Sequence, residues 1–297
     1  MTTGQDLIEK TRRHLMGGFG EMRSTLSTNY TAASGTLVLS TAPIGLLPGS
    51  RLSSGLNIFY VSAVVGGTCT VLGGQEGSTD VNATVGALVR VNPKFTDFEI
   101  WGALNDDINA LSSEGLFTMA GVNLTYNATL TGYDLGATAA ANLLNVYEVK
   151  FLTPGPYKDM PHMKSYEWRL DRNNVTTDIA SGLAIRLLNP GNLTNGYTFT
   201  VVYRSMLQTL VNVTDDLSIT GLQVSAYDLP PMGAAITVMA GREIRRDFTD
   251  VQGDSRRALE VPAGAVTAST VGLSRLRVQR LTLEVAKLRR MYPQVID

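Results

Sequence analysis

Hydrophobic and polar positions follow two rhythms along this chain, and the switches between them mark its segments. Leu7, Ile8, Leu15 and Met16 recur at helical spacing, so Gly4 to Met16 predicts a helix, stopped by Gly17-Gly18. From about Ser24 to Val91 the pattern becomes strand-like. TLVLS at 36–40, LNIFYVSAVV at 56–65, TCTVLGG at 68–74 and TVGALVRV at 84–91 are divided by PGSRLSSG and GGQEGSTDVN. Thr96-Asp97-Phe98-Glu99 then reads as a capping box, in which Thr and Glu satisfy each other's free backbone N–H groups. Ile100, Leu104, Ile108 and Leu111 follow at helical spacing, and this helix ends near Ser112–Gly115.

From Phe117 to about Tyr203 strand-like segments return, separated by PGPYKDMP, RNNVTTD and NPGNLTNG. A third helical region is predicted from Ser225 to Phe248, with Pro230-Pro231 in its first turn and close packing through MGAAITVMAG. DVQGDSRRALEVPAGAV reads as an irregular linker. The last helix is predicted over Thr267 to Met291, and Tyr292-Pro293 stops it.

Helices thus fall at both ends and in the middle, with strand blocks between them. The expected fold is α+β: a helical bundle with two antiparallel β-rich insertions and a long basic C-terminal helix. The helical core takes 1–23, 95–116 and 213–297, a small β-module 24–94, and a second β-module 117–212.

Leu52 to Gln75 carries no formal charge and is long enough to span a bilayer. Asn57, Ser62, Thr68, Thr70 and Gly66-Gly67 interrupt it, and IFYVSAVV-GG-TCTVL reads as two strands about a tight turn. It predicts a buried hairpin. No positively charged segment followed by an apolar one opens the chain, so no secretory signal is expected there.

Hydrophobic residues make up 44% of the 297 and charged ones 17%, which excludes a wholly disordered chain. A single cysteine, Cys69, excludes a disulfide framework, and two histidines, His14 and His162, argue against a histidine-rich metal site. Seven Asn-x-Ser/Thr sequons begin at Asn29, Asn82, Asn123, Asn127, Asn174, Asn192 and Asn212; they read as turn and strand chemistry.

Catalytic arrangements are missing from the pattern. There is no G-x-S-x-G elbow; His14 reads as exposed, His162 as opening a strand, and Cys69 as a small buried residue. In GGQEGST, Gly77 runs directly into Ser78 where a phosphate loop needs Gly-Lys-Ser/Thr, so a hairpin turn is expected. Asp106-Asp107 and Asp215-Asp216 are adjacent carboxylates, but neighbours on a helix point about 100° apart, so neither pair implies a shared site. The expectation is a protein without catalytic residues, metal or cofactor.

Charge placement is distinctive. Thr267–Met291 carries Arg275, Arg277, Arg280, Lys287, Arg289 and Arg290 against Glu284 alone, a net of +5 in a chain of net −1. Leu273, Leu276, Leu281, Val285 and Leu288 interleave as an approximate apolar stripe. Such a helix can be an ordinary solvated one, dock on a partner, or meet nucleic acid or a membrane.

Three stretches narrow this. GGQEGSTDVNATVGALVRVNPKFTDFEIWGALNDDINALSS, MGAAITVMAGREIRRDFTDVQGDSRRALEVPAGAVTAS and SRLRVQRLTLEVAKLRRMYP, in this order, resemble the head-to-tail adaptor (connector) proteins of tailed double-stranded DNA bacteriophages. The resemblance implies a virion protein of the head-tail neck, assembled in the host cytoplasm. It would form a twelvefold homo-oligomeric ring below the portal, around the DNA exit channel. A helical bundle would build that ring, and β-insertions would decorate it or meet the downstream tail or stopper protein. The C-terminal segment would dock on the portal protein, with Arg275, Arg277, Arg280, Lys287, Arg289 and Arg290 as portal or DNA-channel contacts. Arg245, Arg246, Arg256 and Arg257 would be secondary contacts. Packaged DNA would pass without sequence-specific binding, and no membrane is involved. The alternative is a phage tail or baseplate component that uses its β-modules for partner or surface binding.

Overall fold

Period-two segments with apolar inner faces dominate the folded chain. The computed structural model describes residues 2–16, 21–153, 162–165, 167–188, 193–250 and 265–293, with the backbone alone at 16, 152–153, 162–165, 241–250 and 265–266. These residues divide into two compact units. The first holds 1–108, 210–217 and 225–282; the second holds 109–209, 218–224 and 283–297.

In the first unit, six short strands form one antiparallel sheet: β1 (Arg23–Thr25), β2 (Thr36–Val38), β3 (Arg51–Ser54), β4 (Asn57–Val65), β5 (Thr68–Leu72) and β6 (Leu88–Val91), ordered β1-β6-β3-β4-β5-β2. The sheet curls into a half-barrel whose two edges meet through a bridge between Leu26 and Leu39. Ser27 and Ser40 N–H groups donate across that seam to the Val38 and Thr25 carbonyls at 2.9 and 2.8 Å. Inward-facing Leu37, Leu52, Phe59, Val61, Cys69, Val71, Val89 and Val91 fill its own core, with Tyr30 edge-on to Phe59 at 5.0 Å. The uncharged 52–75 run is therefore β3, β4 and β5. Among the described residues no helix is long and apolar enough to cross a membrane. Gly66, at φ +61°, makes the β4–β5 turn, and a Cβ on Gly67 would stand 2.8 Å from the Leu39 carbonyl oxygen.

Beside the half-barrel lie α1 (Gly4–Met16) and the start of α2 (Asp97–Ser113). The capping box of α2 is present: the Glu99 N–H donates to Thr96 Oγ1 at 3.1 Å and the Thr96 N–H to Glu99 Oε2 at 3.0 Å. A similar reciprocal pair, Thr3 and Asp6, starts α1.

Two buried guanidiniums join these elements. Arg12 of α1 donates to Glu21 at 2.7 Å, to the Phe95 carbonyl at 3.0 Å and to Asp97. Arg90 of β6 donates to Asp97 at 2.7 Å, Glu21 at 3.1 Å and Glu9 at 2.6 Å. The side chains of Arg12, Arg90, Glu21 and Asp97 are each at most 5% exposed. Asp97 is also the first residue of α2, where the helix dipole favours a carboxylate.

The rest of the unit's helical matter is α4 (Leu229–Asp250) and the first part of α5 (Ala265–Met291). The small residues Gly233, Ala234 and Ala235 of α4 are used inside the chain. A Cβ on Gly233 would fall 1.8 Å from Asp107 Oδ1, so glycine is what lets α2 and α4 approach there.

The second unit is a strand sandwich. One sheet is β10-β9-β13-β7, from β7 (Thr118–Thr125), β9 (Leu143–Thr153), β10 (His162–Ser165) and β13 (Thr198–Ser205). The other is β11-β12-β8, from β8 (Tyr133–Asp134), β11 (Trp168–Asp171) and β12 (Ala184–Leu187). Tyr133, Val149, Phe151, Ile185, Phe199 and Val201 form the core shared by these sheets, with Phe151 stacked on Phe199 at 5.2 Å. A short helix, α3 (Ala137–Asn142), interrupts a stretch whose sequence reads as mostly strand-like.

The expected helical bundle with β-insertions is therefore incorrect. The chain is mixed α and β, with five helices among the described residues and three antiparallel sheets. The physical reason is that each strand block encloses a core of its own instead of decorating helices. β3, read as part of a loop, completes the half-barrel between β6 and β4. GGQEGST is not a hairpin turn, because β5 and β6 do not pair. Its loop folds back onto β4 instead, with the Gln75 and Gly74 N–H groups donating to the Ile58 carbonyl and Asn57 Oδ1 at 3.1 and 3.2 Å.

Arg90 is the member that serves three carboxylates. Arg90→Met is expected to lower unfolding free energy by about 3–5 kcal/mol, the usual cost of breaking a buried pair. The readout is the urea midpoint at unchanged slope; a loss below about 1 kcal/mol would show that the network is not what ties α1, β6 and α2 together.

Candidate functional site

The basic helix sorts its charges by face. Along α5 the buried positions are Arg277, Glu284 and Leu288, with Leu273, Leu281 and Val285 half-buried. Leu276, expected in the apolar stripe, is exposed, and Arg277 takes the inward place beside it. The demand comes from α2: Arg277 Nη2 donates to the buried Asp107 carboxylate at 2.8 Å, over Gly233. Nothing local in the sequence announces this pair, because its members stand 170 residues apart. The neighbouring Asp106 is exposed, as alternation around a helix requires.

Arg280 is also engaged within the first unit. Its fork grips Asp228 at 2.8 and 3.2 Å and the Ser225 carbonyl at 2.7 Å. In the second unit Lys287 lies 3.6 Å from Glu284, one turn away. The structure therefore does not bring the six predicted contact residues together on one face. Arg275, Arg289 and Arg290 are exposed and have no ion-pair partner among the described residues. Exposed apolar side chains accompany them: Val271, Leu276 and Val278 around Arg275, then Leu283 and Met291 around Arg289 and Arg290. The side chains of Arg245 and Arg246 on α4, and Arg256 and Arg257 entirely, lie outside the described residues.

The end of α5 is clasped by a group that sequence reasoning missed. Arg204 of β13 donates to the Tyr292 carbonyl at 3.0 Å, with its guanidinium 4.6 Å over the Phe117 ring and 5.9 Å from that of Tyr147. The mixed aromatic and basic character of VVYR and VYEV was the available signal. Adjacent to the clasp, Val285 packs 3.6 Å from where a Gly115 side chain would begin.

Cys69, Asp80 and several sequon asparagines are engaged in the fold itself. Cys69 is buried in the half-barrel, and burial pushes its thiol up, away from nucleophilic thiolate. His14 is exposed, and the His162 side chain lies outside the described residues. In the place that a phosphate would take beside the glycine-rich loop sits the carboxylate of Asp80. It accepts from the Ala33 N–H and from Asn57 at 2.8 Å and from Tyr30 at 3.1 Å. A Cβ on Gly73 would fall 2.4 Å from it. Sequon asparagines 29, 82, 127 and 174 make turn or loop hydrogen bonds. Asn212 N–H and the Val211 N–H cap onto Asp215. Among the described residues no group of three or more His, Cys, Asp or Glu is placed to hold a metal ion.

No protein-family model matches the chain, and no curated protein is significantly similar to it.

Two measurements separate these roles. Arg277→Ala is expected to cost about 3 kcal/mol by removing the guanidinium that faces the buried Asp107 carboxylate, whereas Arg275→Ala, Arg289→Ala and Arg290→Ala should each stay within about 0.5 kcal/mol in urea unfolding. Equal costs would mean the inward and outward arginines are not distinct.

The second concerns Asp80. Burial pushes its carboxyl up, but the Ala33 N–H, Asn57 and Tyr30 outweigh that and hold it below the ordinary 3.8. Burial and the Asp80 bond push the Tyr30 phenol up to about 12, so it remains a donor. A carboxyl depressed in the folded state stabilises above its unfolded value and loses that contribution as pH falls through the folded one. Asp80→Asn should therefore cost more stability at about pH 6 than at about pH 2–3; a pH-independent cost would overturn this.

Proposed function

We propose that this chain is a non-catalytic structural protein of a tailed-phage virion, joining the portal ring at the head-tail neck through the exposed side of α5. The observation that carries the reading is the pairing, in the second unit, of Arg289 and Arg290 with exposed Leu283 and Met291; in the first unit Arg275 beside exposed Leu276 repeats it. Free guanidiniums suit bidentate contact with carboxylates on a partner, and exposed leucines suit an apolar surface between them. DNA phosphates would satisfy the arginines alone and leave the leucines in water. A protein partner accounts for both.

The order of the three family-like stretches supports placing that partner at the portal. The ring-building helical bundle that the resemblance implies is absent from the fold, so the reading rests on α5 and on that order. A twelvefold ring around the DNA channel, and a downstream tail or stopper protein, belong to the same proposal.

A second reading has its own observation. In the first unit the loop after β2 exposes Ile44 by 95% and Leu47 by 64%, and the β4–β5 tip exposes Val65 by 79%. Apolar loop tips of this kind suit a tail or baseplate component that binds through its β-module.

The test is assembly with DNA-free portal rings of the cognate phage. The intact chain should co-sediment with them, and the triple variant Arg275→Glu, Arg289→Glu, Arg290→Glu should lose binding while melting as before. Unchanged binding by the triple variant would refute docking through α5. Binding only when DNA is present would assign the arginines to the channel. Loss of tail-protein binding in Ile44→Ser with Leu47→Ser, at unchanged portal binding, would favour the second reading.

A further inference from the structure

We infer that the free edge of β7 pairs with the β7 edge of a second copy, antiparallel about a two-fold axis, joining two four-stranded sheets into one. β7 is the last strand of its sheet, and all eight of its residues pair with β13 on one side. Among the described residues its backbone makes no hydrogen bond on the other side.

Exposed edges are usually blunted by lysine, proline or brevity. β7 has none of these, and no charge occurs from Thr118 to Tyr133. The other edges differ: β10 carries Lys164, β11 carries Arg169 and Asp171, and β8 has only two residues.

The core is also unfinished here. Ala120, Val122 and Leu124 are half-buried, while the β13 residues opposite them, Tyr203, Val201 and Phe199, are buried. An added strand would cover those three. A two-fold axis normal to the sheet sets the same three residues of the second copy beside them, because the same face of both sheets then points the same way.

Self-pairing is what singles out a second copy as the occupant. Such an axis sets positions at equal distances on either side of it opposite one another, so like charges on the strand would be brought together, and a residue meets its own counterpart only at the axis. An uncharged strand pays no such penalty. One strand pair buries less than the roughly 1,200 Å² of a standard interface, so the contact should be weak and concentration-dependent. A two-fold pair cannot form part of a polar ring. It is therefore a state of the free chain, and it stands whether or not the neck reading does.

The test uses the full chain, with buried Cys69 left in place. Sedimentation over a concentration series should show a monomer–dimer equilibrium. Asn123→Lys with Thr125→Lys, both outward-facing, should weaken it by about tenfold or more at unchanged melting temperature. Single variants Met119→Cys, Gly121→Cys, Asn123→Cys and Thr125→Cys should form disulfide dimers on oxidation, with yield peaking at one position and falling on either side. A chain that stays monomeric to about millimolar concentration overturns the inference. So does a dimer that neither crosslinks through β7 nor responds to the lysines.

Discussion

Two arginines held away from water between carboxylates hold the first unit in place. Arg12 and Arg90 both reach Glu21 and Asp97, so one helix, one strand and the start of another helix converge on two acidic side chains. Removing these ions from water is costly, and the cost is offset only while every partner is in position. The arrangement therefore specifies as much as it stabilises. Asp97 can serve both guanidiniums only if α2 begins where Thr96 caps it, and Arg90 can reach it only with β6 in register beside β1 and β3.

Local features were readable in the sequence wherever neighbours along the chain decide them. The Thr96–Glu99 box, the Gly66-Gly67 turn and the extent of α1 depend on residues within a few positions of each other. What escaped was decided at long range. β3, with the sequence RLSS, has little strand character and forms because β4 and β6 flank it. The ranking of helices above strands failed for the same reason, since periodicity identifies an element without saying which elements share a core.

The candidate site shows this division within one helix. Its basic character was plain from composition, yet three of its six bases have intramolecular roles that only tertiary structure assigns. Arg277 answers Asp107, Arg280 answers Asp228 and Lys287 lies near Glu284. Net charge over a segment thus overstated what it offers a partner. The informative quantity was the subset of cations, Arg275, Arg289 and Arg290, left facing water beside apolar side chains.

Gly233 has a mechanical meaning as well. Its missing side chain is a keyway into which the Asp107 carboxylate projects, and Arg277 closes over it from α5. If α4 slid along its axis by one turn, Leu229 or Thr237 would meet that carboxylate, and the Arg277 pair would open in a desolvated setting. Within the first unit, then, α4 and α5 are indexed to α2 and cannot act as sliding pistons. A pull on this part of α5 would be borne by the unit as a rigid body rather than absorbed by slippage between its helices.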